Sequence, residues 1–176
     1  MNAPKSFDWA QAARTTREGM QGQRFATILS SENAPGTPNC KVIITMGAGK
    51  VSNLHVHHAT DVYVDVIDCG LQGVLTLAGD QLQHEIWTYR NQTLWIPRGV
   101  PHVAVYPRSE GNSPSPDVYA IETRTTSSAV ADVVPLDDMA PLLMRRLRQL
   151  GLAGLVTPSP QMAGYRPDES SCFPSL

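Results

Sequence analysis

From Lys41 to about Thr123 the chain repeats one pattern: short runs rich in Val, Ile, Thr, Trp and Tyr, set between clusters of Gly, Pro, Asn and Asp. The runs are KVIITM, NLHVH, VYVDVI, VLTL, HEIWTY, TLWIP, HVAVY and VYAIET. Their regular spacing, with no helical period between them, predicts an all-β antiparallel sandwich or barrel over residues 41–134. The flanks read differently. Within residues 1–40, Ser6 or Asp8 caps a short helix through WAQAARTTREG that Gly19 stops, and ATILSSE is a lead-in strand. Over residues 135–155, LDDMAPLLMRRLRQLG places Met139, Leu142, Leu143, Leu147 and Leu150 on one helical face. Asp137 or Asp138 caps its start, Arg145, Arg146 and Arg148 occupy its second half, and Gly151 ends it. Such a stripe is expected to pack on the outside of the barrel or on a second copy of the chain. RSEGNSPSPD reads as a loop, and residues 156–176 as an irregular tail.

A length of 176 residues fits one domain with a single core. The formal charge is -2, and no basic stripe suited to phosphate neutralisation exists, so nucleic acid is not an expected partner. No membrane partner is expected either, because no run of about 18 apolar residues occurs. MNAPKSFDWAQ lacks the apolar segment of a signal peptide, and a cytoplasmic protein is expected. Cys40, Cys69 and Cys172 share no C-x-x-C spacing, which indicates reduced thiols rather than a disulfide framework or zinc knuckle.

The chemistry concentrates in SNLHVHHATDVYVDV, residues 52–66. Side chains alternate along a strand, so His55 and His57 share a face, with Cα atoms ~6.6 Å apart, a separation two imidazoles bridge onto one metal. His58 falls on the other face or in the following turn and is set aside. A strand resuming at Asp61 puts Asp61, Tyr63 and Asp65 on one face, with Val62, Val64 and Val66 forming the apolar layer on the other. Asp61 and Asp65 lie ~13 Å apart along a strand and cannot hold the same ion, so Asp61, next to the turn, is chosen ahead of Asp65. Asp65, with Tyr63, is a candidate for acid–base work. A second cluster, TLWIPRGVPHVAVYP, uses Pro97, Gly99 and Pro101 to shape a rigid turn that delivers His102 at the start of a strand, with Ala104 and Tyr106 on its face. His84 has no motif around it and is read as structural. Trp87, Tyr89, Trp95 and Tyr106 are read as packing residues first and as walls of a site second.

These segments resemble the cupin superfamily over roughly residues 41–123. Gly49, five residues, then His55-Val-His57 and Asp61 follow the first cupin motif, in which Asp61 stands where the family has glutamate. Pro97, Gly99 and His102 follow the second. The sequence departs where Asp68 occupies the first motif's closing glycine, with Gly70 two residues later, and where Asn91 and Tyr106 replace the second motif's outer glycine and asparagine. The resemblance implies a double-stranded β-helix, a jelly-roll-like barrel, often a homodimer, with one divalent transition metal per chain held by His55, His57, His102 and Asp61. A three-histidine site without a carboxylate is the alternative. The ion is expected to be iron first, with Mn, Ni, Cu or Zn as alternatives. The implied function is a metal-dependent enzyme acting on a small oxygen-rich molecule, with a mononuclear non-haem dioxygenase ahead of a lyase, isomerase or cyclase. A ligand-binding module without turnover is the third reading.

Overall fold

All eight apolar runs fold as strands in the computed structural model, which describes residues 6–18, 23–109, 117–126 and 132–157. In chain order the elements are α1 (Trp9–Arg14), β1 (Arg17–Glu18), β2 (Arg24–Leu29), β3 (Cys40–Met46), β4 (Lys50–Val51), β5 (His55–His57) and β6 (Val62–Asp68). Then come β7 (Val74–Ala78), β8 (His84–Thr88), β9 (Gln92–Ile96), β10 (His102–Tyr106), β11 (Val118–Arg124), β12 (Val133–Pro135) and α2 (Ala140–Gln149). One sheet has the order β1-β2-β3-β11-β6-β9 and the other β12-β5-β10-β7-β8, with β4 also paired to β10. Every strand pairing is antiparallel.

Alternation along the strands sorts residues into a lumen and two outer layers. On β10, Val103 and Val105 face outward and join Leu75, Leu77, Leu143 and Leu147 in one buried cluster. His102 and Ala104 face the lumen. The apolar stripe of α2 thus covers the second sheet, with Leu143 and Leu147 fully buried and Met139, Leu142 and Leu150 packed around them. Outside the first sheet, Ala12 and Ala13 of α1 pack on Ile28, Ile43 and Ile121. Among the described residues, no helix is long and apolar enough to cross a membrane.

Each helix differs from the sequence expectation at one end, α1 at its stop and α2 at its start. Asp8 caps α1 by accepting from the Gln11 amide at 3.1 Å, but the helix stops at Arg14. The Thr15 and Thr16 hydroxyls donate to the carbonyls of Ala12 and Ala13 at 2.9 and 3.2 Å, a local alternative to continuing the helix. The expected stop, Gly19, lies outside the described residues, as does Cys172. Ahead of α2, Asp137 and Asp138 form a 3-10 turn instead of capping the helix, and Pro141 enters its first turn. Gly151 closes α2 in the left-handed conformation, φ +70°, its amide donating to Arg148 O and the Leu152 amide to Leu147 O.

Candidate metal centre

β5 and β10 lie side by side with His55 directly opposite His102, and His57 follows two positions on, toward the same face as His55. The turn before β10 is tied to β5 by the Gly99 amide, which donates to His57 O at 2.7 Å. Gly99 has φ +77°, and a Cβ there would meet nothing within 4 Å, so glycine serves the backbone conformation and not a lack of space. The three rings converge, with centroids 4.3 Å apart for His55 and His102, 5.2 Å for His55 and His57, and 5.5 Å for His57 and His102. One ligand nitrogen from each lies within 4.8 Å of the other two.

Each Nδ1 is already committed. His55 Nδ1 meets Asn53 O at 2.8 Å and His102 Nδ1 meets Val100 O at 2.9 Å. His57 Nδ1 meets the Asp132 carboxylate at 3.2 Å. Those acceptors place the ring proton on Nδ1 and leave each Nε2 as a lone pair. His57 Nε2 is buried with no hydrogen-bond partner. Burial pushes all three imidazoles toward the neutral, ligating form, His55 down to about 4 and His102 to about 3, with the neighbouring ring adding repulsion in each case. An orphaned buried nitrogen between two other neutral imidazoles fits a divalent transition metal.

The sequence-chosen carboxylates lie elsewhere. Asp61 accepts from the Arg98 amide at 2.9 Å and from its guanidinium at 3.4 Å, contacts that hold its carboxyl below the usual range. Its amide donates to Thr125 Oγ1 at 3.1 Å. Asp61 therefore fastens the turn that delivers His102 to the end of the histidine segment, and it is not part of the three-residue cluster. Tyr63 and Asp65 are likewise not brought to the site. Val64 and Val66 line the lumen, so their alternating neighbours turn outward, Tyr63 beside Trp95 across the strand pair and Asp65 accepting from Thr93 Oγ1 at 2.5 Å. The apolar face of β6 is the lumen itself. His58 and His84 are exposed, as are Trp87, Tyr89 and Trp95. Tyr106 is buried, and its hydroxyl donates to Cys69 O at 2.9 Å.

The carboxylate that shares the cavity with the histidines is Glu122 of β11. It is buried and lines the same cavity as His55 and His102. Arg124, two residues on and on the same face, donates to it through Nε. Burial alone would raise the Glu122 carboxyl, but Arg124 and the nearby histidines outweigh it and hold the group below its ordinary value. One sequence signal was available, since alternation puts Val118, Ala120, Glu122 and Arg124 on one face of VYAIETR. It is masked because the other face, Tyr119, Ile121 and Thr123, looks the more apolar.

The cavity beneath the histidines is about 60 Å³. Its walls include Ile44, Val64, Val66, Leu94, Ile96 and Ala120, with His55, His102 and Glu122 among its polar lining.

No protein-family profile and no curated protein sequence matches this chain. Solved structures do. A Klebsiella pneumoniae protein with a double-stranded β-helix domain superposes with a TM-score of 0.55 at 14% identity, over 77% of this chain and 96% of that one. The chain has the cupin fold. Two further cupin-fold neighbours are KdgF from Halomonas sp., with a TM-score of 0.51 at 15% identity over 77% of this chain and 99% of that one, and the oxalate decarboxylase of Lactobacillus farciminis in its formate complex. The latter gives a TM-score of 0.53 at 11% identity, over 76% of this chain and 38% of that one. Within this fold the chain carries its histidine cluster on two adjacent strands of one sheet and the buried Glu122 on the other sheet.

Proposed function

We propose that this chain is a metal-dependent enzyme that takes one divalent transition metal, iron first, on Nε2 of His55, His57 and His102, and acts on a small oxygen-bearing molecule as a mononuclear non-haem dioxygenase. The observation that carries this reading is the buried, partnerless Nε2 of His57, set with two other neutral imidazoles, His55 and His102, that line an apolar cavity. When bound, such a metal supplies Lewis acidity and, if redox-active, electrons for oxygen chemistry. Three neutral imidazoles leave the ion's charge uncompensated by its ligands, which favours a substrate that offers paired oxygen donors. The aliphatic walls admit a short apolar body and exclude water from it. The homodimer expected from the cupin resemblance is kept as part of this reading. It is supported by β8, an edge strand whose Ile86 and Trp87 are both exposed although they point to opposite faces. A mass near 19 kDa by light scattering would refute it.

Glu122 favours a second reading, a non-redox lyase or isomerase. A carboxylate held ionised by Arg124 and facing the cavity is an acceptor able to take a proton from a bound substrate. The two readings separate on iron-loaded protein given 1,3-diketones and catechols. The dioxygenase reading expects oxygen uptake stoichiometric with substrate loss, and is overturned by equal turnover without oxygen. Under the second reading Glu122→Gln, which keeps size and hydrogen bonding, lowers kcat by about 100-fold or more with metal content unchanged. An unchanged kcat removes Glu122 from the chemistry.

A further inference from the structure

His55 and His102 are each oriented by the carbonyl two residues upstream, within their own segments. His57 is not. Its Nδ1 is met by Asp132, 75 residues away in sequence, just ahead of β12. β12 pairs with β5 in the register Val133 opposite His57, Val134 opposite Val56 and Pro135 opposite His55, so backbone hydrogen bonding carries Asp132 to the end of the histidine strand. Immediately beyond, the Leu136 amide donates to Leu54 O at 2.9 Å, and α2 then packs over the same sheet.

The Asp132 carboxylate is held on both oxygens. Oδ1 takes His57 Nδ1, while Oδ2 takes the Thr60 hydroxyl and, at 3.4 Å, the Ala59 amide. Its side chain is 6% exposed and that of His57 1%. With donors converging on it from three groups, the carboxylate acts as an acceptor only, so the proton in the His57 contact resides on Nδ1. The opposite nitrogen, Nε2, is then the lone pair that lies buried without a partner.

We propose that Asp132 is a positioning residue for the metal centre: acting through His57, it fixes both the tautomer and the direction of the nitrogen that ring presents. The segment after the barrel is therefore a component of the site as well as its outer cover. Without Asp132 the ring is free to rotate or to carry its proton on Nε2, where a ligand lone pair is required. This inference rests on the metal reading above, but its tautomer component is measurable with no metal present.

The test uses the full chain and the variants Asp132→Ala, Asp132→Asn and Thr60→Val. In metal-free 15N-labelled protein, long-range histidine correlation spectra are expected to show His57 as the Nδ1–H tautomer in the wild type and in Asp132→Asn, whose amide oxygen still accepts, with the Nε2–H form appearing in Asp132→Ala. A wild-type His57 already protonated on Nε2 overturns the proposal whatever the metal does. Co2+ is then titrated and followed by its visible absorption. Asp132→Ala is expected to bind about 10–100-fold more weakly than wild type, with an altered spectrum, and Asp132→Asn to recover part of the loss. Equal affinity and an identical spectrum in Asp132→Ala overturn the proposal. Thr60→Val removes a donor to the same carboxylate while leaving His57 in contact with it. Binding near wild type in that variant supports positioning through His57, whereas a loss matching Asp132→Ala reduces Asp132 to a fastener of the turn and overturns it. If wild type takes up no Co2+ while the tautomer pattern holds, the metal reading fails and the orienting role of Asp132 stands.

Discussion

Replacing His102 with alanine is expected to strip the protein of stoichiometric metal, lowering affinity by more than about 100-fold, the upper range for losing even an outer-shell partner. His57→Ala is expected to do the same. With three ligating side chains in the cluster, either change leaves two imidazoles there, too few to hold an ion against water. The variants should remain folded. The core under α2 is built from residues on the opposite face of β10 and from β7, so it does not depend on the imidazoles. His58→Ala, at an exposed position on the same segment, is the matched control and should retain full occupancy. Elemental analysis after reconstitution with Fe, Mn, Ni, Cu and Zn in turn checks the result. Undiminished occupancy in both His57→Ala and His102→Ala would place the metal elsewhere.

Acidification is the second large effect. His55 and His102 fall from 6.5 in an unfolded chain to about 4 and about 3 in the folded one, burial being the main cause and repulsion from neighbouring rings adding to it. The folded state thus binds fewer protons than the unfolded state between about pH 3 and 6.5, and stability is lost as pH falls through that window. At about 1.36 kcal/mol per tenfold change in proton affinity, the His55 shift alone corresponds to roughly 3 kcal/mol, a large share of the roughly 5–15 kcal/mol that holds a typical domain together. Glu122 and Asp132, both held below their ordinary values, push in the same direction. Metal-free protein is therefore expected to show a urea midpoint that is level above pH 7 and falls steeply below about pH 6. Bound metal should leave in the same range, because protons compete for the same lone pairs. A midpoint independent of pH from 7.5 to 4.5 would mean that the histidines are hydrated in the folded protein.

The histidine cluster was legible because its spacing obeys local rules. Strand alternation alone pairs His55 with His57, and a proline–glycine turn fixes where His102 begins its strand. The stripe on α2 was legible for the same reason. The carboxylates were not, because their placement depends on which strands become neighbours. Asp61 stands next to His57 in sequence, but the turn through residues 58–60 redirects it to Arg98, and spacing along an ideal strand cannot register such a turn. Asp65 was assigned to a working face because a polar face suggested a site. In this barrel the lumen is lined by valine, and the polar face of β6 looks outward. Glu122 and Asp132 reach the histidines through strand register and sheet order, information shared between segments more than 60 residues apart and absent from either one alone.

β11 lies between β3 and β6, and β12 lies on the far side of β5 from β10. β3, β5 and β6 therefore wait for chain made long after them. As the protein emerges from a ribosome, His55, His57 and His102 are all in place before Glu122 and Asp132 exist. Non-local closure of this kind is slow, since the entropy of long loops is spent before their contacts form. During that interval the nascent chain displays His57 without the carboxylate that orients it, beside two imidazoles held by their own segments. Under the proposed metal reading, the ion taken up depends on the order in which the strands are made as well as on the finished geometry of the pocket.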